Sequence, residues 1–196
     1  TRALRGRRGR STWPARAPLA ARVALALAVT ELIHYWHHRL SHEVGAMWDG
    51  HAPHHSATTL RWITAARVHP LDQVPLMATQ VATIAALGID RDALLVHNTL
   101  KSYHGMLQHA NVAGSTRPLD VVLSTAELHR EHHALAADGP TANYGAVLSV
   151  WDRVFGTHRP ARSDGFTGEV GIAAPYPTSV TGQALQPVQA LARRLG

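Results

Sequence analysis

The chain has 196 residues, 45% of them hydrophobic, which suits one domain with a sizeable core. It contains no cysteine, so disulfides, iron–sulfur clusters and thiolate zinc sites are excluded. The net charge of +6 equals the six arginines of residues 1–16, a segment without acidic residues. Such a basic arm is typical of the cytoplasmic flank of a membrane segment or of contact with anionic lipids, and we do not expect nucleic-acid binding. A disordered tail is the alternative for the first ten residues.

The hydrophobic pattern predicts helices separated by short breaks. A helix is expected from Ala21 to about Val44, followed by a connection at Asp49–Ser56 in which Pro53 favours a helix start. His69-Pro70 ends the next segment because the residue before a proline is disfavoured in a helix. Further predicted helices are Thr58–Val68, Asp92–Val112, Pro118–His133 and, in the Pro- and Gly-rich tail, an amphipathic Ala184–Leu195 interrupted by Pro187.

One stretch between these helices has no formal charge. It runs from Gln73 to Ile89 and has 17 residues, at the lower edge of the 17–25 or so that span a bilayer. A buried core helix is the alternative interpretation. The sequence therefore predicts a membrane-associated helical protein without fixing the number of spans.

Histidine is the residue that distinguishes the chain. There are 15, and three segments have the pattern His-x-x-His-His, whereas chance at this frequency gives about 0.09 matches. Residues at i, i+3 and i+4 share one face of a helix, so imidazoles with this spacing can converge on one ion or on two close ions. The three segments are His34/His37/His38, His51/His54/His55 and His129/His132/His133.

Two details of this pattern limit the geometry. His38 and His42 form an i, i+4 pair on the same stripe as His34 and His37, whereas Pro53 predicts His51 in a loop or cap. His104 and His109 are five residues apart, about 140° on an ideal helix, so they share a site only if the helix is distorted or two ions lie between them.

The number of histidines indicates two ions. Ten clustered histidines are too many for one ion, whereas two ions with five ligands each would use them all. Imidazole binds zinc, copper, iron and nickel, so residue type alone does not select the metal. A ferritin-like carboxylate bundle is excluded, because only Glu31-Leu-Ile-His34 fits the Glu-x-x-His pattern that such bundles need twice.

Several segments together resemble the fatty acid hydroxylase/sterol desaturase superfamily. They are Tyr35–His42, His51–Ser56, His109–Val112, His129–His133, Asn143–Gly145 and Trp151–Thr157, within residues 30–157. The resemblance implies an all-α, membrane-associated helical bundle with a cytoplasmic, histidine-lined di-metal site. Together with the charge and composition of the two ends, it gives a basic arm at 1–16, a fatty acid hydroxylase-like catalytic domain at 17–158 and a tail at 159–196.

The resemblance further implies which residues hold the metals. The expected ligands are His38, His42, His51, His54, His55, His104, His109, His129, His132 and His133. Residues expected to orient the imidazoles, or to lie beside them, are His34, His37, Asn111, Asn143, Tyr144 and Asp152. His69 is expected to be structural, and His97 and His158 to lie outside the site.

The function implied is an O₂-dependent, non-haem di-iron hydroxylase acting on a C–H bond of a lipid-like substrate, with zinc as a substitute metal. A desaturase of the same family and a non-catalytic histidine-rich metal-binding membrane protein are the alternatives. No electron-carrier domain is evident, so we expect an external ferredoxin or cytochrome-type donor. Lys101 is the single lysine against 18 arginines, which favours a GC-rich bacterial source.

Overall fold

The computed structural model describes residues 16–112, 116–135, 142–162 and 168–196. Within these ranges every regular element is a helix, and the only β-type pairings are two isolated bridges, which confirms the all-α prediction. Most of the arginine-rich arm and of the predicted loop at 136–143 lies outside the described residues. The α-helices are α1 Leu19–Glu43, α2 Gly45–His55, α3 Pro70–Ala86, α4 Arg91–His109, α5 Ala126–His132, α6 Val150–Val154 and α7 Val180–Leu195, with 3₁₀ helices at Trp62–Ala66 and Arg117–Leu119.

Helix α1 is the central element. It contacts α2, α3, α4 and α6, and of the described helices it alone is long and apolar enough, by length and composition, to cross a membrane. Helix α3 covers most of the charge-free stretch at 73–89 but has only 17 residues. It exposes Val74, Met77 and Val81 while burying Leu76 and Ile84. The buried core helix that the sequence offered as the other interpretation is therefore only half buried.

Local signals account for most helix starts. The Asp90 side chain accepts hydrogen bonds from the backbone N–H groups of Asp92 and Ala93 and so caps α4. Thr125 caps α5 in the same way, and Pro70 occupies the first turn of α3, where its missing N–H costs nothing.

Four predicted elements differ from the structure. The helix predicted at Thr58–Val68 is only a five-residue 3₁₀ helix, Trp62–Ala66. Pro53 lies inside α2 rather than at a helix start, so His51 belongs to a helix and not to a loop. The helix predicted at Pro118–His133 is reduced to α5, because residues 120–122 form a turn and Leu123 pairs with Leu148 in an isolated bridge. Helix α7 continues through Pro187, where the sequence predicted an interruption.

The C-terminal segment is part of the folded unit. Helix α7 packs against α2, and Arg194 Nε lies 2.6 Å from Asp49 Oδ2. At the opposite end of α1, a small apolar core of Ala26, Ile84 and Ala93 joins α1, α3 and α4. The histidines therefore occupy one end of the bundle, where α2 is held between α1 and α7.

Candidate metal centre

Five imidazoles from three helices form a first group. α1 contributes His38 and His42, α2 contributes His51 and His55, and α5 contributes His132. One ring nitrogen of each lies within 4.8 Å of the others. The i, i+4 spacing on α1 and on α2 places each pair on one helix face, as the sequence spacing requires.

Four further imidazoles form a second group beside the first. They are His54 of α2, His109 at the end of α4, His129 of α5 and His133 at its C-terminal cap. His129 Nε2 lies 2.9 Å from His109 Nε2 and 3.1 Å from His133 Nε2. His109 Nε2 lies 3.2 Å from His54 Nε2. All four rings are buried.

The two groups share their helices. His54 and His55 are neighbours in sequence, yet His54 faces the second group and His55 the first, because successive helical residues are rotated by about 100°. His132 and His133 divide between the groups in the same way. The rings of His55 and His133 stack with centroids 4.2 Å apart, which places the two groups in direct contact.

Backbone carbonyls fix the orientation of four rings. The acceptors of their Nδ1–H groups are carbonyl oxygens, which cannot donate, so each of these rings carries its proton on Nδ1 and a lone pair on Nε2. The pairs, with their N···O distances, are His38 with Tyr144 at 2.8 Å, His132 with Ala142 at 2.8 Å, His109 with Gly105 at 2.7 Å and His54 with Arg67 at 3.3 Å.

A buried carboxylate orients a fifth ring. Asp72 Oδ2 lies 3.1 Å from His51 Nδ1, and Asp72 Oδ1 lies 2.8 Å from His37 Nε2. Burial raises the pKa of Asp72, but the hydrogen bonds from His37 and His51 lower it further, to a value below the usual range. The sequence prediction missed Asp72, and its only signal was an acidic residue beside an otherwise charge-free stretch.

These nitrogens fit a metal ion better than they fit one another. The Nε2 atoms of His54 and His109 both carry lone pairs by the argument above, and two lone pairs 3.2 Å apart repel. Two nitrogens bound to one ion at about 2.1 Å lie about 3.0 to 3.4 Å apart, so the observed spacing matches a shared cation. In the first group the Nε2 atoms of His38, His42 and His51 are buried and have no hydrogen-bond partner among the residues that the structure describes.

The protonation state of the rings agrees with this fit. Burial, and then the neighbouring imidazoles, lower the pKa of several rings well below the ordinary histidine value. Neutral imidazole is the form that binds metal, so the rings are ready ligands at neutral pH. The affected residues are His54, His55, His129, His132 and His133.

Two residues predicted to orient imidazoles act on the loop that contacts them. The Asp152 carboxylate accepts hydrogen bonds from the backbone N–H groups of Tyr144 and Gly145 at 2.7 and 2.8 Å. Asn143 has a positive φ of 59° and holds the chain by hydrogen bonds with the backbone of Leu128 and Arg159. Both fix the loop, so the contact to the imidazole of the first group is made by the Tyr144 carbonyl.

The remaining predicted residues occupy different places. His104 lies outside both groups with its Nε2 2.9 Å from the carbonyl oxygen of Ser124, so the geometry gives its predicted ligand role no support. His34 lies beside the first group, its ring centroid 5.6 Å from that of His38. Asn111 is exposed. His69 caps α3 and contacts the Ala184 carbonyl, and His97 lies 2.7 Å from Thr30 Oγ1.

A cavity of 470 Å³ opens onto both groups. Its walls come from α1, α3 and α4, and its lining includes His38 and His51 from the first group and His54, His109 and His129 from the second. Leu76 and Met77 provide apolar wall. Both histidine groups therefore border one cavity, and either group could hold a metal ion.

Comparison with known proteins gives a consistent result. The family model for fatty acid hydroxylase matches residues 23–157. The chain is 35% identical over 184 residues to an ornithine lipid hydroxylase of Rhizobium tropici, covering 93% of this chain and 55% of that protein. It is 35% identical over 124 residues to the human alkylglycerol monooxygenase, covering 63% of this chain and 27% of that protein. The alkylglycerol monooxygenase of Xenopus tropicalis is 29% identical over 150 residues, or 75% of this chain and 33% of that protein.

These alignments extend over most of this chain but not over most of its relatives. The chain spans about half the length of the ornithine lipid hydroxylase and a third or less of the alkylglycerol monooxygenases. No solved structure matches it. The family model covers both histidine groups and the loop that orients them, and it includes every residue assigned to the centre above. The chain therefore belongs to the fatty acid hydroxylase family.

Proposed function

We propose that the protein is an O₂-dependent di-iron hydroxylase that inserts one oxygen atom into a C–H bond of a lipid-like substrate. The observation that carries this proposal is the convergence of nine imidazoles into two adjoining groups, five of whose members line one cavity. The relatives named as a lipid hydroxylase and as monooxygenases support the same chemistry. Five nitrogens would hold one ion and four the other.

Iron supplies the redox chemistry with O₂ that amino-acid side chains lack. The chain's own residues bind and position. Asp72 and the Tyr144 carbonyl hold protons on Nδ1 of His51 and His38, and this directs their Nε2 lone pairs to the ion. The buried Leu76 and the more exposed Met77 line the cavity with apolar surface that would take an alkyl chain.

Hydroxylation requires electrons from outside the substrate. Insertion of one oxygen atom from O₂, with reduction of the other to water, consumes two electrons and two protons. We therefore propose an external ferredoxin or cytochrome-type donor. The cavity beside the two histidine groups favours this redox chemistry over the non-catalytic alternative. A protein that only stores metal needs no space for a substrate next to its metal site.

The test is incorporation of labelled oxygen. The chain, loaded with ferrous iron and supplied with a reductant, is incubated with ¹⁸O₂ and a bacterial lipid extract, and the products are measured by mass spectrometry. A lipid that gains one ¹⁸O atom supports hydroxylation, whereas loss of two hydrogens without label supports the desaturase alternative. Two full iron equivalents without either product would leave only the non-catalytic metal-binding alternative.

A matched pair of variants ties the product to the centre. His133→Asn removes a member of the second group and is expected to abolish the product and to lower bound iron. His104→Asn changes a histidine of the same bundle end that lies outside both groups, so it is expected to retain two iron equivalents.

We also propose a membrane location with the metal centre facing the cytoplasm. Helix α1 has 25 residues, or about 37 Å, and it carries His38 and His42 near its C-terminal end. A helix that crosses the bilayer places its two ends on opposite sides, so a cytoplasmic metal centre puts the arginine-rich arm outside. The positive-inside rule predicts the reverse for that arm.

Single cysteines decide between these orientations, because the chain has none of its own. Arg5→Cys reports the arm and Arg130→Cys reports α5. In intact cells an impermeant maleimide is expected to label only the arm. Labelling of Arg130→Cys alone would reverse the proposed orientation, and labelling of neither would place both ends of α1 in the cytoplasm.

A further inference from the structure

One end of the cavity beside the histidines is lined by a lysine that forms an ion pair. Lys101, the only lysine of the chain, lines it from α4. Gly105 and His109 line the same cavity at i+4 and i+8, so the three residues follow one face of the helix. At about 1.5 Å per residue, Lys101 lies about 12 Å along the helix from His109.

The ammonium of Lys101 is paired in charge but not satisfied in hydrogen bonding. Its Nζ lies 3.1 Å from Glu31 Oε1, an ion-pair distance without the alignment of a hydrogen bond. Among the described residues Lys101 Nζ has no hydrogen-bond partner. The other carboxylate oxygen of the fully buried Glu31 accepts hydrogen bonds from the backbone N–H groups of Val147 and Leu148.

A charge in this position needs an explanation beyond packing. Glu31 lies within α1, the one described helix suited to cross a membrane, and ionisable groups in such helices mark substrate or ion sites. Burying an ammonium whose N–H groups find no acceptor costs free energy, which a ligand offering an acceptor would recover. The side chain of Lys101 lines the cavity and is 21% exposed, whereas its Nζ is buried against Glu31, so a ligand makes this contact when the side chain turns its ammonium toward the cavity.

The space between the cation and the histidines is open. A Cβ atom built on Gly105 would meet no heavy atom within 4 Å, although the residue lies in mid-helix. Leu76 and Met77 supply apolar wall in the same cavity. A cation at one end and apolar surface beside the open path suit an amphipathic molecule with one anionic group and an alkyl chain.

We propose that Lys101 is a specificity-determining residue that binds the carboxylate or phosphate group of the substrate. Gly105 lies between Lys101 and His109 and leaves room for the part of the substrate that follows the anionic group. The eight-residue separation along the helix places the C–H bond at His109 about 12 Å from that group. The inference rests on the proposed function, since it assigns a substrate class to the same cavity. It distinguishes anionic lipids from neutral ones.

The single lysine makes a direct test in the unaltered protein. The full chain, loaded with zinc so that no turnover occurs, is placed in lipid nanodiscs and treated with formaldehyde and cyanoborohydride, and methylation of Lys101 is followed by peptide mass spectrometry. Decanoate or decyl phosphate is expected to slow methylation of Lys101 at least tenfold, whereas decanol is not. Protection by only one of the two anions shows whether the group that Lys101 binds is a carboxylate or a phosphate.

Variants test the same contact by binding. Lys101→Met combined with Glu31→Gln removes both charges and leaves no buried ion unpaired, whereas Lys101→Arg retains the cation. Radiolabelled decanoate and decyl phosphate are expected to bind the double variant at least tenfold more weakly, with decanol binding within twofold of the parent. Lys101→Arg is expected to keep the preference for the anion.

The outcomes separate this inference from the proposed function. Equal methylation rates with all three ligands, or an unchanged preference for anions in the double variant, would show that the Lys101–Glu31 pair only joins α1 to α4. Neither result depends on oxygen incorporation. The zinc content of every sample is also measured. An unchanged zinc content shows that a change in methylation or ligand binding does not come from loss of the metal centre.

Discussion

Replacement of Asp72 by Asn changes the centre by one charge and almost no volume. Asp72 accepts hydrogen bonds from His51 and His37, and of these two only His51 belongs to a metal-binding group. A hydrogen bond to a carboxylate contributes about 1.5–3 kcal/mol and one to a neutral amide about 0.5–1.5 kcal/mol. The midpoints of these ranges differ by about 1.3 kcal/mol, the expected loss if the amide oxygen faces His51, and the loss is up to about 3 kcal/mol if the amide nitrogen does. We expect Asp72→Asn to weaken the first-group ion about 10- to 100-fold, in line with other partners of metal-bound histidines.

The assay is a metal titration against a chelator, which resolves the affinity of each equivalent. One equivalent is expected to weaken in Asp72→Asn while the second keeps its affinity, because no residue of the second group contacts Asp72 among the hydrogen bonds described. Asp92→Asn is the matched control, since Asp92 is an exposed carboxylate in the first turn of α4. Two unchanged equivalents would refute the argument that Asp72 sets the ring of His51. Equal weakening of both would show a loss of fold instead.

Other expectations address the loop, the helix and the pH response. Asp152→Asn should lower the free energy of unfolding by about 3 kcal/mol in denaturant titrations, because the Asp152 carboxylate accepts hydrogen bonds from the backbone N–H groups of Tyr144 and Gly145. An unchanged free energy of unfolding would contradict the role of Asp152 in holding the loop. Gly105→Ala should raise the free energy of unfolding by about 0.5–1 kcal/mol, because alanine is the better helix former and its Cβ has space at this position. A destabilised variant would show that the space is filled. The metal-free protein should lose stability as the pH falls below about 6.5, the ordinary histidine pKa, because the unfolded chain then binds protons that the buried rings, with lowered pKa, do not. Urea unfolding at pH 7.5, 6.5 and 5.5 measures this, and equal midpoints would be inconsistent with neutral, buried rings.

The histidine spacing could be interpreted from the sequence because it depends on helix geometry alone. His38 with His42 and His51 with His55 lie at i, i+4, and the structure brings nine of the ten predicted ligands into two groups. His104 differs because α4 is a regular helix through His109, so a five-residue separation turns its ring toward Ser124. The resemblance to the fatty acid hydroxylase superfamily is confirmed by the family match.

Tertiary contacts explain what the sequence did not predict. Pro53 is tolerated inside α2, whose flanking histidines all face other helices and are buried there. Asp72 lies 21 residues from His51, and the Tyr144 carbonyl lies 106 residues from His38, so no local pattern signals either contact. Neighbouring histidines such as His54 and His55 belong to different groups because of where the helices meet. Composition and periodicity do not predict how helices pack against one another.

The division of His54 from His55, and of His132 from His133, has a consequence for the distance between the ions. In carboxylate-bridged centres a side chain that can rotate spans the two metals. In this protein, peptide bonds link a member of one histidine group to a member of the other, and each group would hold one of the proposed ions. Weakening either ion, or exchanging iron for zinc, should therefore leave the intermetal separation unchanged unless a helix unwinds.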